Sequence, residues 1–115
     1  MELENVSEEL TRLDEKIAKL REVAEQRRGI LSGTEHNLSV RKAQLLFKAK
    51  YAEKLTDTCA KAKAEMESEV EALEVLRTDS EYRQSKLELD NCLDKRETLK
   101  EIAYNIRASM KCFGG

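Results

Sequence analysis

The sequence predicts an all-α protein of long helices with heptad seams, arranged as an antiparallel helical hairpin or bundle. Three observations carry that prediction. The 115 residues include no proline, and Ala, Leu, Glu, Lys and Arg dominate, the composition of long helices and coiled coils. Aromatic residues make up only 4% against 38% charged, so a compact core built on large rings is not available. Apolar residues recur at alternating spacings of three and four, and no segment carries a strand signal. One helical domain over residues 1–115 is the consequence. A single chain of this size buries only a modest core, so oligomerisation is expected to supply more buried area.

The N-terminal helix, residues 1–28, rests on Leu3, Val6, Leu10, Leu13, Ile17, Leu20 and Ala24, a heptad row facing a partner helix. Residues 29–39 then hold both interior glycines, the only histidine and several capping residues. They predict a hinge, with Thr34 or Ser39 capping the next helix. That long second helix is expected over residues 40–77. There Leu45, Ala52, Cys59, Met66 and Leu73 recur every seven residues, with Leu55, Ala62 and Leu76 as a companion row. Thr78-Asp79-Ser80-Glu81 has the form of a capping box and predicts the start of a C-terminal helix over 79–113, or a continuation of the second. Its seam is Tyr82, Leu89, Cys92, Leu99, Ala103, Ile106, Met110 and Phe113, interrupted by Ser85 and Arg96. Gly114-Gly115 reads as a helix stop. The near-strict seven-residue period favours left-handed supercoiling.

Catalysis is not expected. The chain has no Gly-rich phosphate loop, no nucleophile elbow, no H-E-x-x-H and no C-x-x-C. His36 stands alone in the expected hinge, and carboxylate pairs such as Glu67 and Glu71 have no histidine to complete a metal site. No cofactor and no metal are therefore expected. Cys59, Cys92 and Cys112 lack metal or redox spacing, and Cys59 and Cys92 read as small buried hydrophobes. The acidic start MELENVSEEL is unlike a secretory signal, and no apolar run approaches the roughly 18 residues that cross a membrane. A soluble, reduced, intracellular chain with no membrane partner is the expectation.

Charge supplies the functional lead. Between residues 41 and 63, Arg41, Lys42, Lys48, Lys50, Lys54, Lys61 and Lys63 stand against Glu53 and Asp57, a balance of +5. The next eleven residues carry Glu65, Glu67, Glu69, Glu71 and Glu74 and no base, a balance of −5, although the whole chain is only −2. On a continuous helix Arg41, Lys48 and Lys63 project within about a quarter-turn of one another. Phe47 and Tyr51, two of five aromatics, are interleaved with these bases. Charge to track phosphates beside rings for stacking suits single-stranded nucleic acid better than duplex. Lys48 and Lys50 form the centre of this candidate site, with Arg41, Lys42, Lys54, Phe47 and Tyr51 in support.

Leu46-Phe47-Lys48-Ala49-Lys50-Tyr51 resembles the apolar-Lys-Ala-basic-apolar element of the UvsY-type recombination mediators of tailed phages. The two basic residues of that element contact single-stranded DNA, and Lys48 and Lys50 take their positions. Within residues 79–113, Leu89-Asp90-Asn91-Cys92 and Ile106-Arg107-Ala108-Ser109-Met110 are similar to the family's oligomerising C-terminal helices. The two segments cover a little over a third of the chain. The resemblance implies a homo-oligomeric ring that binds single-stranded DNA. It also implies help in loading a recombinase onto strands covered by a single-strand-binding protein, in the cytoplasm of a phage-infected bacterium. It assigns oligomerisation to Leu89, Cys92, Leu99, Ala103, Ile106, Met110 and Phe113, and closure of a ring would repeat one weak basic site many times.

Two rival functions fit the same residues. A structural coiled-coil assembly or adaptor protein would use the +5 and −5 stretches to set antiparallel register, with no affinity for nucleic acid. A small phage-encoded inhibitor would dock a helix in a groove of a host protein.

Overall fold

The computed structural model describes residues 2–113, which are almost wholly helical with no strand among them. Helix α1 spans Leu3–Phe47 and passes into a five-residue π turn, Lys48–Ala52. After a short connection come α2, Asp57–Glu67, and α3, Glu69–Phe113. The expected all-α class and the pairing of the long first and third helices are present. No helix of the described residues is long and apolar enough to cross a membrane. The expected helix stop at Gly114-Gly115 lies outside the described residues.

The helix boundaries differ from the sequence expectation in two places, and at a third they follow one of two expected alternatives. Residues 29–39 form no hinge, because α1 runs through Gly29 and Gly33 without interruption. The three-four row of the N-terminal helix continues past Ala24 through Arg27, Leu31, Thr34, Leu38, Arg41 and Leu45, and the two glycines fall beside it. Chain reversal falls instead inside the expected second helix, at residues 48–56. Glu53 N–H donates to Lys48 O at 3.1 Å and Leu55 N–H to Ala49 O at 2.9 Å, widening the last turn of α1. Lys54 then takes φ 55°, the left-handed conformation that ends helices, and Thr56 caps α2 by accepting from Cys59 N–H.

At Thr78-Glu81 the second of the two expected alternatives holds: the box opens no helix, and α3 continues through it. Thr78 Oγ1 instead donates within α3, with Glu74 O and Val75 O at 3.0 and 3.1 Å. The boundary between α2 and α3 is a local distortion at Ser68. Backbone bonds still bridge it, from Ser68 N–H to Ala64 O and from Ala72 N–H to Ser68 O. Ser68 Oγ competes for Ala64 O at 2.7 Å, a back-bond that distorts helices without ending them.

Contacts divide the chain into two compact units, Gln26–Arg83 and the segments on either side of it. In the flanking unit, Val6, Leu13 and Ile17 of α1 pack with Cys92, Leu99 and Ala103 of α3. Leu3, Leu10, Leu20, Leu89, Leu93, Ile102 and Ile106 close around them. Burying each large aliphatic side chain contributes about 1.5–3 kcal/mol, which holds a two-helix contact with no aromatic in its core. Arg96, the charged interruption of the α3 seam, donates from Nε to Asp14 Oδ1 at 2.6 Å across the pair. Leu89, Cys92, Leu99, Ala103 and Ile106, expected to face other subunits, are thus taken up within the chain. Met110 and Phe113 remain exposed.

The Gln26–Arg83 unit pairs the second half of α1 with α2 and the start of α3. Leu45 and Ala49 are buried on one side, and Ala60, Ala64, Ser68 and Thr78 on the other. Thr34 Oγ1 meets Thr78 Oγ1 at 2.8 Å, and Arg27 Nη1 donates to Glu81 O at 3.1 Å. The expected row of Cys59, Met66 and Leu73 is exposed, and so is the expected companion Leu76. Small side chains occupy the real seam because their hydroxyls are satisfied locally and their size permits close helix approach. A heptad pattern of large apolar residues does not include them. Cys59, expected to be buried, is an exposed thiol, whereas Cys92 is buried as expected.

Candidate nucleic-acid interface

The basic stretch does not lie along one helical face. Because the chain reverses at 48–56, its bases gather around the turn that joins α1 to α2. Phe47 is the last residue of α1; Lys48, Lys50 and Tyr51 sit in the π turn; Lys54 holds the left-handed position beyond it. These five predicted site residues are brought together within eight positions. Lys61 and Lys63 return from α2, and a shallow groove between the helices is lined by Lys42, Ala43, Leu46, Lys61, Ala64 and Glu65.

Partners separate the engaged bases from the available ones. Arg41 Nε lies 3.5 Å from Glu71 Oε1, and Lys50 Nζ lies 3.1 Å from Asp57 Oδ1. Lys63 bonds Glu53 and reaches Glu67 at 3.7 Å. Its hydrogen bond, together with its charge and that of Lys48, holds the Glu53 carboxyl below the ordinary glutamate range. The same bond to Glu53 holds the Lys63 ammonium above its ordinary value. Among the described residues Lys42, Lys48, Lys54 and Lys61 make no ion pair. Lys48 is thus the member of the Lys48–Lys50 couple without an ion pair, although its charge acts on Glu53. Lys61 belongs with the site although in the sequence it contributes only to the charge total; its place beside Lys42 depends on the reversal.

Phe47 and Tyr51 are 67% and 69% exposed, so neither serves the core. Their ring centroids are 4.7 Å apart with planes tilted by 42°. The spacing is that of a contacting aromatic pair. A π turn is a common device for aiming side chains at a ligand, because its extra residue rotates those beyond it. The arrangement offers two ring faces with ammonium groups on the same turn, which can take a planar base and the phosphates flanking it.

Among the described residues no group of three or more His, Cys, Asp or Glu side chains is placed to hold an ion, and Glu71 is engaged by Arg41. No family model matches the chain, and neither a curated protein nor a solved structure matches it significantly.

Proposed function

We propose that the chain is an oligomeric single-stranded DNA-binding protein that grips the strand with the turn at residues 47–54. The observation that carries this reading is the exposed Phe47–Tyr51 pair beside Lys48, Lys50 and Lys54. Rings stack only on bases that are not already paired, so the site favours single strands. Lysines add affinity through released counterions, without regard to sequence. The resemblance of residues 46–51 to the UvsY-type element extends the proposal to recombination. The chain would act as a mediator in the bacterial cytoplasm, helping a recombinase onto strands covered by single-strand-binding protein. Binding and handing over a strand needs no catalytic group, cofactor or metal.

The test is fluorescence anisotropy of labelled oligo(dT) titrated with the full chain across a salt series. Binding is expected at low salt and is lost as salt rises. Lys48→Ala with Lys50→Ala weakens it about tenfold and lowers the log–log salt slope by roughly 1.4, at about 0.7 per single-strand phosphate. Phe47→Ala or Tyr51→Ala costs about 1–3 kcal/mol for each base that stacks there. Absence of binding at low salt refutes the proposal.

A second reading, the structural adaptor, draws on one observation. Arg41, Lys50 and Lys63 are already paired with carboxylates of their own chain. It expects no anisotropy change at any salt concentration.

A further inference from the structure

We infer that the outer face of α2 and the start of α3 pairs with the same face of a second copy of this chain, in antiparallel register. The face is the heptad row that the hairpin leaves unburied. Met66, Val70, Leu73 and Leu76 are 76%, 77%, 57% and 64% exposed, and Cys59 and Ala62 extend the row toward the turn. At 100° per residue, Cys59, Ala62, Met66, Val70 and Leu73 fall within a sector of about 80°. The backbone bonds across Ser68 keep the two helices in phase. Spacings of three and four along one face are the signature of a seam that a further helix covers.

Charge selects the partner and its direction. An antiparallel pair centred on Met66 sets Cys59 opposite Leu73 and Ala62 opposite Val70, small against large on either side of a central Met66–Met66 layer. The same register sets Lys63, which flanks the row, opposite Glu69 of the second copy. Parallel pairing would set all five glutamates between 65 and 74 against their own duplicates, whereas this register opposes only Glu65 and Glu67. The contact runs for about 22 Å over the fifteen residues from Cys59 to Leu73. The face is also apart from the C-terminal residues expected to oligomerise, most of which the chain buries against itself. Lys48, Lys50, Lys54, Lys61, Phe47 and Tyr51 do not lie on this row, so the apolar contact stands independently of the nucleic-acid reading.

Sedimentation equilibrium of the full chain across micromolar concentrations tests it. The mass is expected to climb from 13.2 kDa toward twice that value. Met66→Glu with Leu73→Glu is expected to weaken association by about tenfold or more, with helicity unchanged because both side chains face solvent in the single chain. Register is read by mild oxidation in a Cys112→Ser background. Adding Leu73→Cys yields a cross-linked dimer through Cys59 of the second copy, while Cys112→Ser alone yields none. A chain monomeric throughout, association indifferent to the double substitution, or a dimer cross-linked between two Cys59 residues overturns the inference.

Discussion

Replacing Gly29 and Gly33 by alanine distinguishes a helix from a hinge at residues 29–39. An added Cβ meets nothing within 4 Å at either position, so it makes no clash and gains no packing. The remaining effect is backbone propensity, which favours alanine over glycine by about 0.8–1.0 kcal/mol in a helix interior. Together the two substitutions should add about 1.6–2 kcal/mol. An unfolding entropy of about 2.1 cal/mol/K per residue gives roughly 0.24 kcal/mol/K for a chain of this length, so the melting temperature should rise by about 7 °C. Thermal melts monitored by circular dichroism at 222 nm read that shift, and each single variant should supply about half of it. Had these residues formed a mobile hinge with glycine-specific torsions, alanine would leave stability unchanged or lower it. A double variant that melts at or below the parent temperature refutes the continuous helix.

Other parts of the fold yield three further predictions. Lys54 has φ 55°, so Lys54→Gly should be more stable than Lys54→Ala by about 0.5–1 kcal/mol, the relief of left-handed backbone less glycine's extra freedom when unfolded; since both variants remove the same charge, equal denaturation midpoints would contradict that conformation. Leu99 is 5% exposed in the α1–α3 seam, and Leu99→Ala should cost about 2–4 kcal/mol in urea unfolding. Thr78→Val removes the cross-helix partner of Thr34, whose hydroxyl keeps Leu31 O at 2.9 Å, and should cost about 1 kcal/mol, and Thr34→Val with Thr78→Val should cost less than the sum of the two single changes; an additive double-mutant cycle would show that the 2.8 Å contact carries no coupling.

Much of the fold was legible in the sequence, and the misplacements share one cause. The row from Leu3 to Leu20 is a string of large aliphatics and the row from Leu89 to Ile106 is mostly apolar, and both proved to be seams. Where the seam turns small and polar, at Thr34, Ala60, Ala64, Ser68 and Thr78, the neighbouring row of Cys59, Met66 and Leu73 carries the stronger hydrophobic signal yet faces solvent. Gly29 and Gly33 suggested a break because intrinsic propensity takes no account of the packing on either side of them. The actual reversal carries neither glycine nor proline. Its marks in the sequence are weak, a threonine cap at Thr56 and a lysine in a conformation usually left to glycine.

The candidate site divides in the same way. Lys48, Lys50, Phe47 and Tyr51 stand close in sequence, so their association needed only local structure to be inferred. That the two rings are exposed, that Lys50 is held by Asp57 while Lys48 makes no ion pair, and that Lys61 returns beside Lys42 depend on where the chain reverses.

Composition and periodicity by themselves determined that this chain is helical and amphipathic, with its positive charge concentrated between residues 41 and 63, because those properties are summed along the chain. Only tertiary structure decided which of two apolar rows is buried and which bases are neutralised. Burial and ion pairing depend on the side chains that the opposite helix presents, and a change of the turning point by a few residues exchanges one face for another.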